Sequence, residues 1–436
     1  MSYELFKKGD KAKVLPGGTA LVRDFLGAGG QAEVYQVTVD GAEYALKWYY
    51  PGMATPLQRA ALERLIESKE PSPEFLWPIA LCAGKADDDF GYLMPLRPAG
   101  FHSLQDLVTR RVDPSFKTVL TAGMNLAQAY LNLHTQGLCY RDISFGNAFL
   151  NPATGDILVC DNDNVTVDGE HLDTVQGTQR FMAPEIVRGE APSSAQTDLF
   201  SLSVLLFYLL MVAHPLEGRL EANIHAFDLH AMKHLYGDLA IFIFDPQDDS
   251  NRPVAGLHDN ATLYWPIYPE SVRELFTRAF TVGVRNPGQR VRETEWRAGL
   301  SKARDALLYC DHCRAENFYG SDPTTLARRC WRCHKSFTLP FRLRMDERDI
   351  VMLNTDTKLF DHHLGFERSY NFATALAEVS QNPHHPNVLG LKNLSSRPWS
   401  ATTPDNVIHR VEPGRSIRLS TGLKINFGDR SGEVRA

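Results

Sequence analysis

The stretch "LHTQGLCYRDISFGNAFL", Leu133 to Leu150, constrains this chain more than any other. Asp142 and Asn147 stand five residues apart in a loop between two apolar, strand-like runs. Asp161 follows at the end of a third such run, "ILVCDND". Any one of these residues alone is an ordinary turn former. All three in this order suit one kind of chemistry. A carboxylate orients a hydroxyl and accepts its proton, while an amide oxygen and a second carboxylate hold Mg2+ (or Mn2+) beside it.

The first ninety or so residues supply a second part of that chemistry. "TALVRDFLGAGGQAEVYQVTVDGAEYALKWYY" alternates apolar and polar residues around glycines and predicts hairpins of a small sheet. Gly27 and Gly29 fall in a turn where backbone N–H groups can approach a polyphosphate with no Cβ in the way. Lys47 sits alone in an apolar strand, where a buried ammonium needs an anionic partner. Phosphate and a carboxylate would meet that need. The helix expected over "TPLQRAALERLIES" offers Glu63, or Glu67 one turn later.

From about Leu104 to Leu308 the pattern is helical. Its apolar run "LFSLSVLLFYLLMVA" spans 15 residues, short of the roughly 20 that cross a bilayer, and predicts a buried core helix. The N-terminus has neither an apolar core nor a small-residue cleavage site, so no secretion signal is expected there. A net charge of -6 argues against nucleic acid as the main partner. That charge is uneven: from Ser301 onward 20 Lys+Arg face 15 Asp+Glu, which suggests a separate module near residue 300.

Four of the seven cysteines form two pairs, Cys310 with Cys313 and Cys330 with Cys333, 16 residues apart. Two such knuckles suit a closed, structural, tetrahedral Zn2+ site of four thiolates, weighed against a disulfide pair or a redox site. Beyond about Pro340 short alternating runs broken by Gly, Pro and Asn predict a small β-sandwich.

Taken together, residues from about Ala20 to Leu300 resemble a eukaryotic-type Ser/Thr protein kinase domain. Besides the segments above, "GTQRFMAPEIVRG", "TDLFSLSVLLFYLL" and "RAFTVGVRNPGQRV" carry the likeness. The resemblance implies an α+β, bilobal protein-kinase fold over residues 1–306, with an N-lobe at about 15–97 and a C-lobe at about 98–306. The four-cysteine zinc ribbon would then occupy 307–339 and the small all-β sandwich 340–436. It also implies roles. Leu26, Gly27, Gly29, Val34, Ala45, Met94 and Leu96 would surround ATP, with Met94 to Arg97 as the hinge, and Lys47 with Glu63 would position its α/β-phosphates. Asp142 would orient the acceptor hydroxyl, Asn147 and Asp161 would hold the metal, and Thr178 would contact Asp142. Glu185 would pair with Arg290, and Asp198 would cap the catalytic-loop backbone. Arg141 beside Asp142 resembles kinases ordered by phosphorylation, with Thr166 and Thr174 as the candidate sites.

Three departures from the family stand out. Tyr140 replaces a structural His, and Asn162-Asp163 replace Phe-Gly. Ser144 replaces a Lys that contacts the transferring phosphoryl group, a loss worth ~2.7–4 kcal/mol or ~10²–10³ in rate. A pseudokinase scaffold is therefore the alternative to an active enzyme. A small-molecule kinase of the aminoglycoside type is less apt, because it lacks the "GT....APE" segment that holds a protein substrate.

The last strands, "VLGLKNLSSRPWSATTPDNVIHRVEPGRSIRLSTGLKINFG", are similar to the end of a forkhead-associated domain, which would bind phosphothreonine. Ser395 to Arg397 and Asp361 to Leu364 stand in for its phosphate-binding signatures. The order of kinase, ribbon and β-domain resembles cytoplasmic bacterial Ser/Thr kinases that act on protein substrates beside a metal-dependent phosphatase and a von Willebrand A-type protein, with no membrane anchor.

Overall fold

Residues that alternate in polarity form strands whose two faces differ, and the N-terminal lobe is built on that rule. The computed structural model describes residues 5–84, 89–169, 177–320, 329–345, 349–365 and 369–436. In it β1 (Lys11–Val14), β2 (Thr19–Ala28), β3 (Ala32–Val39), β4 (Ala42–Tyr49), β5 (Ala80–Ala83) and β6 (Phe90–Pro95) form a closed antiparallel barrel in the order β1-β2-β3-β4-β6-β5. Closure comes from β1, which pairs with both β2 and β5. Along β4 the period of two sorts the side chains: Leu46 and Trp48 join one core cluster with Val22, Tyr35 and Val37. Ala45 and Tyr49 join another with Tyr92, Met94 and Leu62.

Helix α1 (Pro56–Glu67) starts where Thr55 accepts the Gln58 N–H at 3.2 Å and Pro56 presets the first turn. Its buried residues are Leu62 and Leu65. Gln58 lies one helical turn before Leu62, so Gln58, Leu62 and Leu65 make the inward stripe.

In the helical lobe α2 (Leu104–Val108), α3 (Phe116–Thr135), α4 (Pro184–Arg188) and α5 (Ala195–Met211) alternate along the chain with short strands. These are β7 (His102–Ser103), β8 (Leu138–Cys139), β9 (Ala148–Leu150), β10 (Ile157–Val159) and β11 (Thr166–Val167), paired as β10-β9-β7 and β11-β8. Helix α5 carries the long apolar run and is buried from Thr197 to Met211, opened by a Ser194–Thr197 capping box and closed by Val212 in the left-handed region at φ 51°. Among the described residues no helix is long and apolar enough to cross a membrane.

The chain divides into two compact units, and the division does not follow the domain boundary expected at residue 306. One unit holds Met1–Pro114, Asn125–Asp259 and Phe276–Thr294; the other holds Ser115–Met124, Asn260–Leu275 and Glu295–Ala436. Within the second unit an aromatic cluster unites distant segments. The Phe116 ring meets those of Tyr264, Tyr268, Phe318 and Trp331 at centroid separations of 5.4–6.2 Å.

The second unit also contains the hairpin β12 (Leu307–Tyr309) and β13 (Glu316–Phe318) and two antiparallel sheets. The larger sheet is ordered β15-β14-β23-β22-β19-β20, from β14 (Arg342–Met345), β15 (Ile350–Met352), β19 (Trp399–Thr402), β20 (Ile408–Val411), β22 (Lys424–Asn426) and β23 (Ser431–Arg435). The smaller is β16-β17-β18-β21, from β16 (Lys358–Leu359), β17 (Ala377–Gln381), β18 (Leu389–Asn393) and β21 (Ser416–Arg418). Leu343, Val351, Trp399 and Ile425 of the first share one core with Ala377, Val379 and Leu391 of the second.

Candidate active site

The catalytic-type loop lies between β8 and β9, and buried anchors hold its backbone. Asp198, at the start of α5, accepts the N–H groups of Tyr140 and, at 3.0 Å, of Arg141. The ring of His134 lies between Asp198, 3.2 Å from Nε2, and Glu293 at Nδ1. Burial alone would lower the His134 pKa, but the two carboxylates prevail and raise it to about 9, so the ring is a cation at neutral pH. Tyr140 is fully buried and its hydroxyl donates to the Cys160 carbonyl, which ties the loop to the strand that delivers Asp161. The aromatic ring with a polar tip thus occupies a structural position, as expected.

Asp142 projects from this loop with one oxygen, Oδ1, accepting both the N–H and the hydroxyl of Thr178, each at 2.9 Å. Asn147 donates its amide to the Asp142 carbonyl at 2.8 Å and to Oδ2 at 3.2 Å. Its amide oxygen, the only atom of the group a cation can use, takes no part in these bonds. Ser144 is buried and brings no charge to the loop.

Cross-strand register assembles one wall of the barrel lobe. Gly27 lies opposite Val34, Val34 opposite Lys47, and Lys47 opposite Tyr92. Residues directly opposite share a face, and Ala45 and Met94, themselves a pair, are two positions away on that face. Val34 and Leu96 pack against the same cluster. Leu26 stays 48% exposed beside the Gly-rich turn, where the Gly29 N–H bonds the Ala32 carbonyl at 2.9 Å. Leu26, Gly27, Gly29, Val34, Ala45, Met94 and Leu96 thus lie on or beside one face of strands β2, β3, β4 and β6.

One expectation does not hold. Glu63 pairs with Arg59 one turn back on α1 at 3.2 Å and is half exposed, and Glu67 is exposed as well. The helix turns Gln58, Leu62 and Leu65 inward and leaves its glutamates outward. Lys47 instead meets Asp163, at 2.9 and 3.0 Å to its two oxygens, and Asp161 at 3.3 Å. Burial would lower the Lys47 pKa, yet the paired carboxylates raise it. Burial would raise the Asp163 pKa, yet Lys47 and the surrounding hydroxyls hold it below the usual carboxylate range. Asp161, in the left-handed region at φ 54°, is raised by burial and by Asp163 against the pull of Lys47. Bound Mg2+ would reverse that shift. The missed residue had a visible signal: a second Asp two positions after the first, where the family keeps a glycine.

In the following segment Arg290 and Glu185 pair at 2.8 Å, as expected, and Arg290 also donates to the Gln196 carbonyl at 2.8 Å. Arg180 forms a two-pronged pair with Glu217 at 2.6 and 2.7 Å. Thr166 is buried on β11, which removes it as an accessible modification site in this conformation. Thr174 lies outside the described residues.

The four cysteines converge, with Sγ–Sγ separations of 3.7 Å for Cys310–Cys333 and 3.6 Å for Cys313–Cys330. Tetrahedral Zn–S bonds of about 2.3 Å imply sulfurs about 3.8 Å apart, so the donor set fits Zn2+. The two knuckles repeat one geometry. Each first cysteine's N–H bonds the residue five on (Ala315, Lys335), and each fourth residue after it, Arg314 or His334, is left-handed and bonds back to that cysteine's carbonyl. Burial works against the Cys330 thiolate, but backbone N–H groups and Asn317 outweigh it and lower its pKa to about 7, whereas at Cys313 the Ala315 backbone is outweighed by burial and the three neighbouring thiols, which push it up to about 12. All seven cysteines are free of disulfides.

In the two stand-in segments some side chains are engaged within the fold, while both ring nitrogens of His362 are buried without a hydrogen bond. The Ser395 hydroxyl bonds Asn393 at 2.7 Å and the Arg397 carbonyl at 3.0 Å, and buried His363 meets Asp305 at 3.0 Å.

A barrel lobe with a Gly-rich hairpin and a buried Lys, joined to a helical lobe that carries Asp142, Asn147 and Asp161, is the bilobal protein-kinase fold. The model of the protein kinase domain family matches residues 21–256, more than half of the chain, and the chain belongs to that family. It is 32% identical to the probable serine/threonine-protein kinase CCRP1 of Zea mays over 118 residues, 26% of this chain and 19% of that protein. With serine/threonine-protein kinase PLK1 of Xenopus laevis the identity is 28% over 203 residues, 44% of this chain and 33% of that protein. With ribosomal protein S6 kinase alpha-4 of Mus musculus it is 34% over 108 residues, 24% and 14% of the two chains. The matched segments span a third or less of these curated relatives.

Proposed function

We propose that this chain is an ATP-dependent protein serine/threonine kinase that transfers the γ-phosphate to Ser or Thr of itself and of protein substrates. The observation that carries the reading is Asp142, held by Thr178 and Asn147 on a loop whose backbone Asp198 pins. ATP with Mg2+ (or Mn2+) supplies the activated phosphoryl group and the charge that neutralises it. The chain's own residues do the rest. Asp142 orients the acceptor hydroxyl and takes its proton, Asn147 and Asp161 present oxygen ligands, and Lys47 holds the α/β-phosphates. Thr178 keeps Asp142 aimed and marks Ser/Thr as the acceptor class.

Ser144 favours one other reading, a nucleotide-binding pseudokinase scaffold, because the loop lacks the Lys that contacts the transferred group. Purified protein incubated with labelled ATP and Mg2+ or Mn2+, alongside Asp142→Ala, decides between them. Label on the wild type alone is expected, and label on neither leaves the scaffold. In the same reading the ribbon holds one structural Zn2+ through Cys310, Cys313, Cys330 and Cys333; metal analysis well below one Zn per chain would count against it. The ribbon and sandwich serve regulation or docking in a bacterial cytoplasm, with a metal-dependent phosphatase and a von Willebrand A-type protein as partners. Co-purification from the native host tests that assignment.

A further inference from the structure

Every protein kinase of the usual plan needs a carboxylate to hold its phosphate-binding Lys, and here α1 offers none on its inward face. The inward residues are Gln58, Leu62 and Leu65, while Glu63 is paired with Arg59 at the surface. Asp163 is built for the task. Its side chain is 1% exposed and both oxygens reach Lys47. Three further donors complete its shell: the Tyr49 hydroxyl at 2.6 Å, the Tyr92 hydroxyl at 3.0 Å and the Gln58 amide at 3.4 Å. A buried ion pair survives only when its remaining valences are satisfied in this way. The hydroxyls come from the same sheet face as Lys47, so the barrel itself forms the receptor for Asp163.

We infer that Asp163 is the positioning residue for Lys47, in place of a helix glutamate, so that one short turn, Asn162–Asn164, carries the Lys anchor two residues after the metal ligand Asp161. This rests on the kinase reading above. The consequence is a change in regulatory logic. Displacing α1 would not take the carboxylate from Lys47; only a rearrangement of the 161–163 turn would, and it would remove the metal ligand at the same time. The Lys–carboxylate pair and the metal site therefore form and break as one element.

The test compares Asp163→Asn, Glu63→Gln and the double variant Gln58→Glu/Asp163→Asn with the wild type. Its readouts are kcat and KM for ATP with a casein acceptor, the affinity for Mg-ADP, and melting of the nucleotide-free protein. Asp163→Asn is expected to lower kcat/KM about 100-fold through a misplaced Lys47, and to weaken Mg-ADP binding. Glu63→Gln, which breaks only an exposed helix pair, stays within about two-fold of wild type. The double variant returns a carboxylate from α1 and recovers about ten-fold of the loss, a rescue that a merely structural role for Asp163 does not produce.

Wild-type kinetics and Mg-ADP affinity in Asp163→Asn, or an equal loss in Glu63→Gln, would overturn the inference. If the wild type transfers no phosphate, the kinase reading fails by itself. Mg-ADP affinity then still decides whether Asp163 or Glu63 serves Lys47. Should Asp163→Asn not fold, Tyr49→Phe keeps the charge and removes the 2.6 Å hydrogen bond to Asp163. A several-fold loss in kcat/KM supports the inference, and unchanged kinetics overturns it.

Discussion

The four-cysteine cluster and the candidate active site solve the same problem, gathering polar groups at one point, by opposite means. In the ribbon each pair of thiols is three residues apart, and two copies of one local turn aim them at a common point. In the catalytic centre the groups that meet are far apart in the chain, as with Lys47 and Asp163, 116 residues apart. A local device tolerates no relocation of its ligands. A long-range one does, and here the carboxylate has moved from a helix to a turn. A cysteine knuckle is read from spacing, whereas the partner of a buried Lys is decided by which face of each element turns inward.

Metal removal tests the local side of that comparison and carries the largest expected effect. Cys330→Ser, or a strong chelator, is expected to abolish the ribbon's order, since structural Zn2+ sites carry apparent free energies of about 10–16 kcal/mol. Loss of bound Zn and of amide-exchange protection over 307–319 checks it. Full protection without metal would break the claim that the ribbon depends on its ligands.

On the long-range side, Arg290→Ala strands Glu185 and frees the Gly283 and Gln196 carbonyls that Arg290 caps. Removing one partner of so buried a pair costs about 3–5 kcal/mol, read by denaturant unfolding.

His134 makes the next prediction, through pH. Its pKa is raised from 6.5 to about 9 by Asp198 and Glu293, so its contribution is complete below about pH 6.5 and is lost as pH rises through about 9. That amounts to about 3 kcal/mol. Unfolding measured from pH 6 to 10 should show the decline in the wild type and a flatter profile in His134→Gln. A decline that persists in the variant would assign it elsewhere.

Tyr140→Phe has the smallest effect. It deletes the hydroxyl that satisfies the Cys160 carbonyl and leaves a buried acceptor unpaired, at about 1–3 kcal/mol. A stability equal to wild type would show that this tie between the loop and Asp161 is dispensable.

The kinase fold was legible in the sequence, as was the spacing of the candidate site residues. The alternating N-terminal segment formed the expected sheet, although its closure into a barrel was not foreseen, because closure depends on β1 meeting β5 across more than sixty residues. The apolar run became α5, and Asp142, Asn147 and Thr178 are hydrogen-bonded together, while Asp161 meets Lys47. Glu63 departs from the expectation because the apolar stripe of α1 is visible in the sequence but its exact rotation against the barrel is not. Two tyrosines and an Asp in the place of a glycine were needed to explain that rotation, and none of them is close to Glu63 in the chain.

What the sequence determined by itself is therefore what the covalent chain fixes over a few residues. That includes the knuckle cysteines, the five-residue reach from Asp142 to Asn147 and the period-two faces of the barrel strands. Only the tertiary structure decided which carboxylate neutralises Lys47 and what holds the catalytic loop. Those choices are made by desolvation: a buried charge takes the partner whose own hydrogen bonds the surrounding fold can also satisfy, and for Asp163 the fold supplies them.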